Sequence, residues 1–194
     1  MEINSSVIKE LRDQTGISVM QCKKALEEAG GDKEKALIIL KQKRKEAADK
    51  KSDRTLGAGT VGVYVHNTNE VAAMVLLASE TDFVSKNEEF TALAKDIAMH
   101  VAALNPKFLS REEVSEEAMT KAKEVFAEDI KDKPVEMHEK IMEGKLNNYF
   151  KEQILLEQPF IKNPDTTIGE MVNGAIQKFG EKVSIVEFKR VSVK

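Results

Sequence analysis

The stretch VAAMVLLASETDFVSKNEEFTALAKDIAMHVAAL, residues 71–104, decides the fold. Its first part, Val71 to Ser79, is apolar at nearly every position and reads as a strand. Its last part, Glu88 to Leu104, carries Phe90, Leu93, Ala94, Ile97, Val101 and Leu104 at helical spacing and ends before Asn105-Pro106. Between them stands Thr81-Asp82-Phe83-Val84. A strand-to-helix junction is ordinarily built from small polar residues, and a large aromatic there has no core of its own to fill. An acid beside an exposed aromatic suits a tip that pushes into another molecule.

Working upstream, Val61, Val63 and Val65 alternate, Asn67-Thr68-Asn69 supplies a turn, and the returning strand completes a β-hairpin. The successive apolar residues Met74, Val75, Leu76 and Leu77 predict cover on both faces of that strand. Before the hairpin, Leu56-Gly57-Ala58-Gly59 marks a boundary; no GK[ST] follows, so it is not a phosphate loop. The charged run from Lys41 to Arg54 reads as a solvated helix end passing into a linker.

The first fifty residues predict three short helices. Asn4, Ser5 and Ser6 can cap the first, which Thr15-Gly16 ends. Ser18 caps a second running to Ala29, and after Gly30-Gly31 Asp32 caps a third with Ala36, Leu37 and Leu40 facing inward. On the second helix, Val19, Cys22, Ala25, Leu26 and Ala29 share one face. Cys22 is then a small buried hydrophobe. Met20 falls nearly opposite, beside Lys23 and Lys24, either as an isolated exposed apolar residue or as a partner contact.

Downstream, Ser85-x-x-Glu88 and Ser110-x-x-Glu113 read as capping boxes. Two charged helical segments, about Ser115–Lys131 and Pro134–Lys151, are joined by Lys131-Asp132-Lys133-Pro134, too short for anything but antiparallel neighbours. Ala118, Ala122, Val125 and Phe126 are expected to face Val135, Met142 and Tyr149 across a narrow seam, an antiparallel coiled-coil arm. Gln158-Pro159-Phe160-Ile161 leads back, Thr167-x-x-Glu170 caps a helix to Phe179, and Val183 to Val193 closes as a strand. The fold class is α+β: an N-terminal three-helix module, a small antiparallel sheet core packed with helices, and the arm. The expected parts are residues 1–54, 55–114, 115–157 and 158–194.

Composition removes most function classes. The chain has 194 residues, 41% hydrophobic and 32% charged, with 33 acids against 30 bases for a net charge of −3. That balance disfavours direct nucleic-acid binding. No apolar run is long enough for a bilayer, and the polar, acidic N-terminus lacks a targeting profile, so a cytoplasmic site is expected. One cysteine excludes an internal disulfide framework. His66, His100 and His138 are scattered, no ligand spacing suits zinc, and no nucleophile elbow or kinase signature occurs. No cofactor, metal or enzymatic activity is expected, and Asp82 and Phe83 are the residues left to carry function.

Four runs then resemble one family. LRDQTGISVMQCKKALEEAGGDKEKA is similar to the N-terminal signature of the bacterial elongation factor Ts family, TDFVSKNEEF to its central signature, IAMHVAA to a third, and EQPFI to the segment after its coiled coil. The match runs in order along nearly the whole chain. The resemblance implies a ubiquitin-associated-like N-terminal module, an α+β core, a coiled-coil arm, and guanine-nucleotide exchange on elongation factor Tu in translation elongation.

Carried over by position, the resemblance implies that Thr81, Asp82, Phe83 and Val84 intrude near the partner's nucleotide site and help dislodge its magnesium. It places Arg12, Val19 and Met20 in the docking surface of the N-terminal module, although helical geometry sets Val19 at the edge of that module's own core. His100, at the flank of the helix stripe, is either a partner contact or a satisfied boundary histidine. Long members have two related core halves; this chain carries both motifs on one hairpin–helix unit and resembles a short form. A single half leaves apolar sheet surface to be covered, which predicts a homodimer. The rival readings are an adaptor module without exchange activity and a metal-dependent hydrolase using surface carboxylates.

Overall fold

The computed structural model describes residues 4–131 and 134–193, in the order α1 (Ser5–Thr15), α2 (Val19–Glu28), α3 (Lys33–Asp49), β1 (Ala58–Val65), β2 (Val71–Ser79), α4 (Asp82–Ser85), α5 (Glu88–Leu104), α6 (Glu116–Ile130), α7 (Val135–Lys151), β3 (Pro159–Phe160), β4 (Asn163–Thr167), α8 (Ile168–Phe179) and β5 (Val183–Ser192). Short 3-10 turns occupy Arg111–Glu113 and Leu155–Glu157. Helices and a small antiparallel sheet make this an α+β protein. Asp132 and Lys133 of the expected tight connection lie outside the described residues.

The chain forms two compact units. One comprises residues up to Thr60 with Ala78–Phe90 and Glu170–Ser184; the other comprises Val61–Leu77, Thr91–Gly169 and the residues from Ile185.

In the first unit, local sequence sets the helix starts. The Asn4 side-chain Oδ1 accepts from the Ser6 N–H, the Ser18 hydroxyl from the Gln21 N–H, and the Asp32 carboxylate from the Glu34 and Lys35 N–H groups. The three helices close on Ile8, Leu11, Ile17, Cys22, Ala25, Leu26, Ala36 and Leu40. Burying each of the isoleucine and leucine side chains among these stabilises by about 1.5–3 kcal/mol, less the entropy of ordering it. Val19 is the exception to the helical wheel: it is 51% exposed. Ile17, in the turn before α2, fills that corner instead. The charged run after Lys41 is less solvated than expected. Arg44 is half-buried and donates to the Thr15 carbonyl and the Gln177 side chain, while Lys41 pairs with Glu170.

In the second unit, the His66 N–H donates to the Val71 carbonyl across the hairpin, and the Val193 N–H to the Glu70 carbonyl. The second bond fixes β5 antiparallel to β2, giving the order β1-β2-β5. Gly62 lies directly on the α5 backbone: a Cβ there would sit 2.2 Å from the Ala94 carbonyl, so no larger residue fits. Ala73, Val75 and Leu77 of β2 are buried, but Met74 is exposed, as are Val61, Val63 and Val65 on β1. The expectation of cover on both faces is therefore met fully on one face and only in part on the other, where Ala78 is buried, Leu76 half-buried and Met74 exposed. A short antiparallel hairpin, β3–β4, occupies the return segment that the sequence leaves as a connection.

Helices α6 and α7 run in opposite directions, with Asp129 against Lys145 and Phe126 edge-on to Tyr149. Their shared core is Ala122, Leu146, Phe150 and Ile154, flanked by Ala118, Met119, Phe126 and Met142. Val125 and Val135 are exposed, not in the seam. The seam takes the larger Phe150 and Leu146, which the sequence reading does not place there.

Among the described residues no helix is long and apolar enough to cross a membrane.

Candidate partner-binding site

Thr81–Val84 forms the start of α4, a single helical turn between β2 and α5. Four residues cannot carry both a buried stripe and a polar face, so the side chains divide one by one. Val84 and Ser85 point inward and are buried. Phe83 projects outward, 84% exposed, the most open large hydrophobic side chain among the described residues. Single exposed apolar residues are common, but a phenyl ring this open on so short an element is not explained by packing.

The base of the tip is held by polar contacts. The Thr81 N–H donates to Glu181 Oε2 at 3.0 Å and its hydroxyl to Glu181 Oε1 at 2.6 Å. The Ser79 hydroxyl donates to the Thr81 carbonyl at 2.9 Å. Asp82 accepts from Lys86 one turn on, at 2.7 Å. The Lys86 hydrogen bond and charge hold the Asp82 carboxyl below the usual carboxylate range, so it is ionised at neutral pH. The tip therefore presents a phenyl ring flanked by an acid that already has a cation partner.

Two capping expectations fail here for physical reasons. Ser85 belongs to the end of α4 and is buried, so α5 begins with Asn87, whose side chain accepts from the Glu89 N–H at 2.9 Å. Ser110 caps no helix; Glu113 instead accepts from the Leu109 N–H at 2.6 Å, and α6 starts from Ser115.

On the N-terminal helices, Met20 is 64% exposed and Val19 is open beside it, with Arg12 also on the surface and paired to Asp13. These three residues are accessible to a partner. His100 is not. Its ring is fully buried; Nε2 lies 2.9 Å from Gln158 Oε1, and Nδ1 accepts from the Ile161 N–H at 3.3 Å. Since Nδ1 is the acceptor, Nε2 carries the proton and donates to Gln158. Burial pushes the His100 pKa below its ordinary value, against a smaller opposing effect of the Gln158 bond. Of the two readings of His100, this geometry fits the satisfied histidine, tying α5 to the segment leading into β3.

Among the described residues no three His, Cys, Asp or Glu side chains converge as metal ligands.

The sequence model of the family described as "Elongation factor TS" matches residues 41–194. The chain belongs to the elongation factor Ts family. Relatives bearing the name "Elongation factor Ts" match across the N-terminal helices as well. That of Thermodesulfovibrio yellowstonii is 45% identical over 194 residues, covering 100% of this chain and 97% of the relative. That of Desulforamulus reducens is 47% identical over 191 residues, covering 97% and 88%. That of Thermosipho melanesiensis is 44% identical over 193 residues, covering 98% of each chain. The elongation factor Ts family thus includes relatives of this same short length, and membership makes the chain a factor of translation elongation.

Two contributors to the tip escaped the sequence reading. Glu181 lies 100 positions from Thr81, and Lys86 carries no motif beyond its i,i+4 spacing from Asp82. That spacing was a usable signal; nothing local pointed to Glu181.

Proposed function

We propose that this chain is the guanine-nucleotide exchange factor of elongation factor Tu and that Thr81–Val84 is its working tip. The observation carrying the proposal is Phe83, an exposed phenyl ring on a one-turn helix whose base is fastened from both sides. Its body is rigidly presented, so contact with the partner is made without first ordering a floppy loop. Phe83 wedges between partner elements next to the nucleotide site. Asp82 competes for the polar groups that support the magnesium ion, and its ionised state suits that task. Val84, buried in the body, anchors the turn that carries Phe83.

The mechanism is thermodynamic coupling. A factor that binds the nucleotide-free GTPase best weakens nucleotide binding, and nucleotide weakens the factor's binding by the same ratio. Phosphate-loop contacts and the magnesium charge hold the nucleotide, so disturbing the ion loosens both. No covalent bond is made or broken by this chain, and its role is not enzymatic in the usual sense.

The remaining parts divide the work. The three N-terminal helices, read as ubiquitin-associated-like, dock on the partner through Arg12, Val19 and Met20, whose accessibility supports this. The α6–α7 pair is the coiled-coil arm. Val61, Val63, Val65 and Met74 form an apolar sheet face that a second copy covers, giving a homodimer in the cytoplasm. Light scattering at micromolar concentration gives a dimer on this account; a monomer refutes it.

Adding the chain to elongation factor Tu loaded with a fluorescent GDP analogue accelerates release, and excess magnesium reduces the acceleration. Copurification with no change in release establishes the adaptor alternative instead.

A further inference from the structure

We propose that Glu181 is a positioning residue for the tip, setting the angle at which Phe83 is presented; this rests on the exchange reading above. Residues 178–182 meet the tip segment at both of its ends. Lys178 pairs with Glu89, and Phe179 packs edge-on against Phe90 with centroids 5.8 Å apart, both beyond the tip. Glu181 takes Thr81, the first residue of the tip, and the Lys182 N–H donates to Glu80 just before it. Gly180 makes the two grips possible. Its φ of +73° turns the chain between Phe179 and Glu181 in a conformation costly for a residue with a Cβ.

The Glu80 grip and the Glu181 grip are not equivalent. Glu80 is also bound by Arg54, at 3.1 and 3.3 Å, and Lys182 reaches the Ser52 and Arg54 carbonyls, so that contact closes a structural crossing of three segments. The backbone bond to Glu80 holds its carboxyl below the usual range, with Arg54 adding to the effect.

Glu181 does something narrower. Among the described residues its hydrogen bonds go to Thr81, the residue before α4, whose N–H and hydroxyl it takes together. Thr81 stands at the N-cap position of α4, yet its side chain makes no capping bond, because Glu181 holds it. One carboxylate thus fixes both the backbone and the side-chain torsion at the point where the chain turns into the Phe83 helix. Charge-assisted pairs of this form are the stronger class of hydrogen bond.

The test compares Glu181→Ala with Glu181→Gln in the full chain. Glutamine keeps both contacts, its Oε1 accepting from the Thr81 N–H and its Nε2 donating to the Thr81 hydroxyl. Glu181→Ala is expected to reduce maximal acceleration of GDP release about three- to tenfold at saturating factor, with little change in affinity for elongation factor Tu, in keeping with loss of a charged hydrogen bond. Glu181→Gln restores most of it. Amide exchange at Thr81 and Phe83 rises in Glu181→Ala while the melting temperature holds. Wild-type acceleration by Glu181→Ala, or failure of Glu181→Gln to exceed it, overturns the proposal. If the unmodified chain gives no acceleration, the exchange reading fails, while the amide readout still decides whether Glu181 holds the tip: unchanged Thr81 exchange in Glu181→Ala refutes it.

Discussion

TDFV and IAMHVAA are both short runs resembling family signatures, and both invite assignment to a partner, yet the fold uses them in opposite ways. Phe83 in the first is 84% exposed; His100 in the second is fully buried. The difference follows from the length of the element each sits on. α4 has a single turn, so its aromatic cannot join an apolar stripe and is turned outward. α5 has 17 residues, with Phe90, Ala94, Ile97, Ala98 and Val101 all buried, and a polar side chain near that stripe is drawn in with it. Once inside, His100 needs internal partners, and Gln158 and the Ile161 N–H supply them. A signature residue on a long amphipathic helix is thus most simply structural, and one on a single turn is most simply displayed.

Four experiments break or sharpen this contrast. The largest effect is expected from His100→Ala, which removes a buried ring and leaves Gln158 Oε1 and the Ile161 N–H unpaired. It should destabilise the chain by about 2–4 kcal/mol, measured by urea unfolding, while folded protein still accelerates GDP release at low temperature. Phe83→Ala reverses the pattern: unfolding shifts by less than about 0.5 kcal/mol, as for an exposed site, while release acceleration falls roughly thirtyfold, about 2 kcal/mol for a truncated aromatic anchor.

The third prediction concerns pH. The His100 pKa is lowered on folding from an unfolded value of 6.5, so below that value the unfolded chain binds the extra proton first. Stability should therefore be level above 6.5 and fall as pH drops from there towards the folded pKa. His100→Gln should flatten that fall in thermal melts between neutral and mildly acidic buffers; an unchanged slope assigns it to other groups. The smallest effect belongs to Lys86→Ala, which frees Asp82. A change in release of no more than about twofold, shrinking further with added salt, is expected for an exposed i,i+4 pair.

Much of this was legible because the signals were local. Asn4, Ser18 and Asp32 cap helices as their sequence positions predict, since capping depends on neighbours two or three residues away. Local rules misled where another contact competed. Ser85 was taken into the tip, leaving Asn87 to cap α5, and Val19 yielded its corner of the core to Ile17. The β3–β4 hairpin escaped because β3 has two residues, one of them proline, too few to show alternation. The exposure of Phe83 could be anticipated from the junction it occupies. Its support by Glu181 could not, because that bond depends on how the chain returns 100 residues later.

The most direct test is stopped-flow release of a fluorescent GDP analogue from elongation factor Tu, with saturating unmodified chain or Phe83→Ala, alongside a binding measurement for each. The account predicts similar binding and a release acceleration by Phe83→Ala roughly thirtyfold below that of the unmodified chain. Full acceleration by Phe83→Ala with normal binding would contradict it.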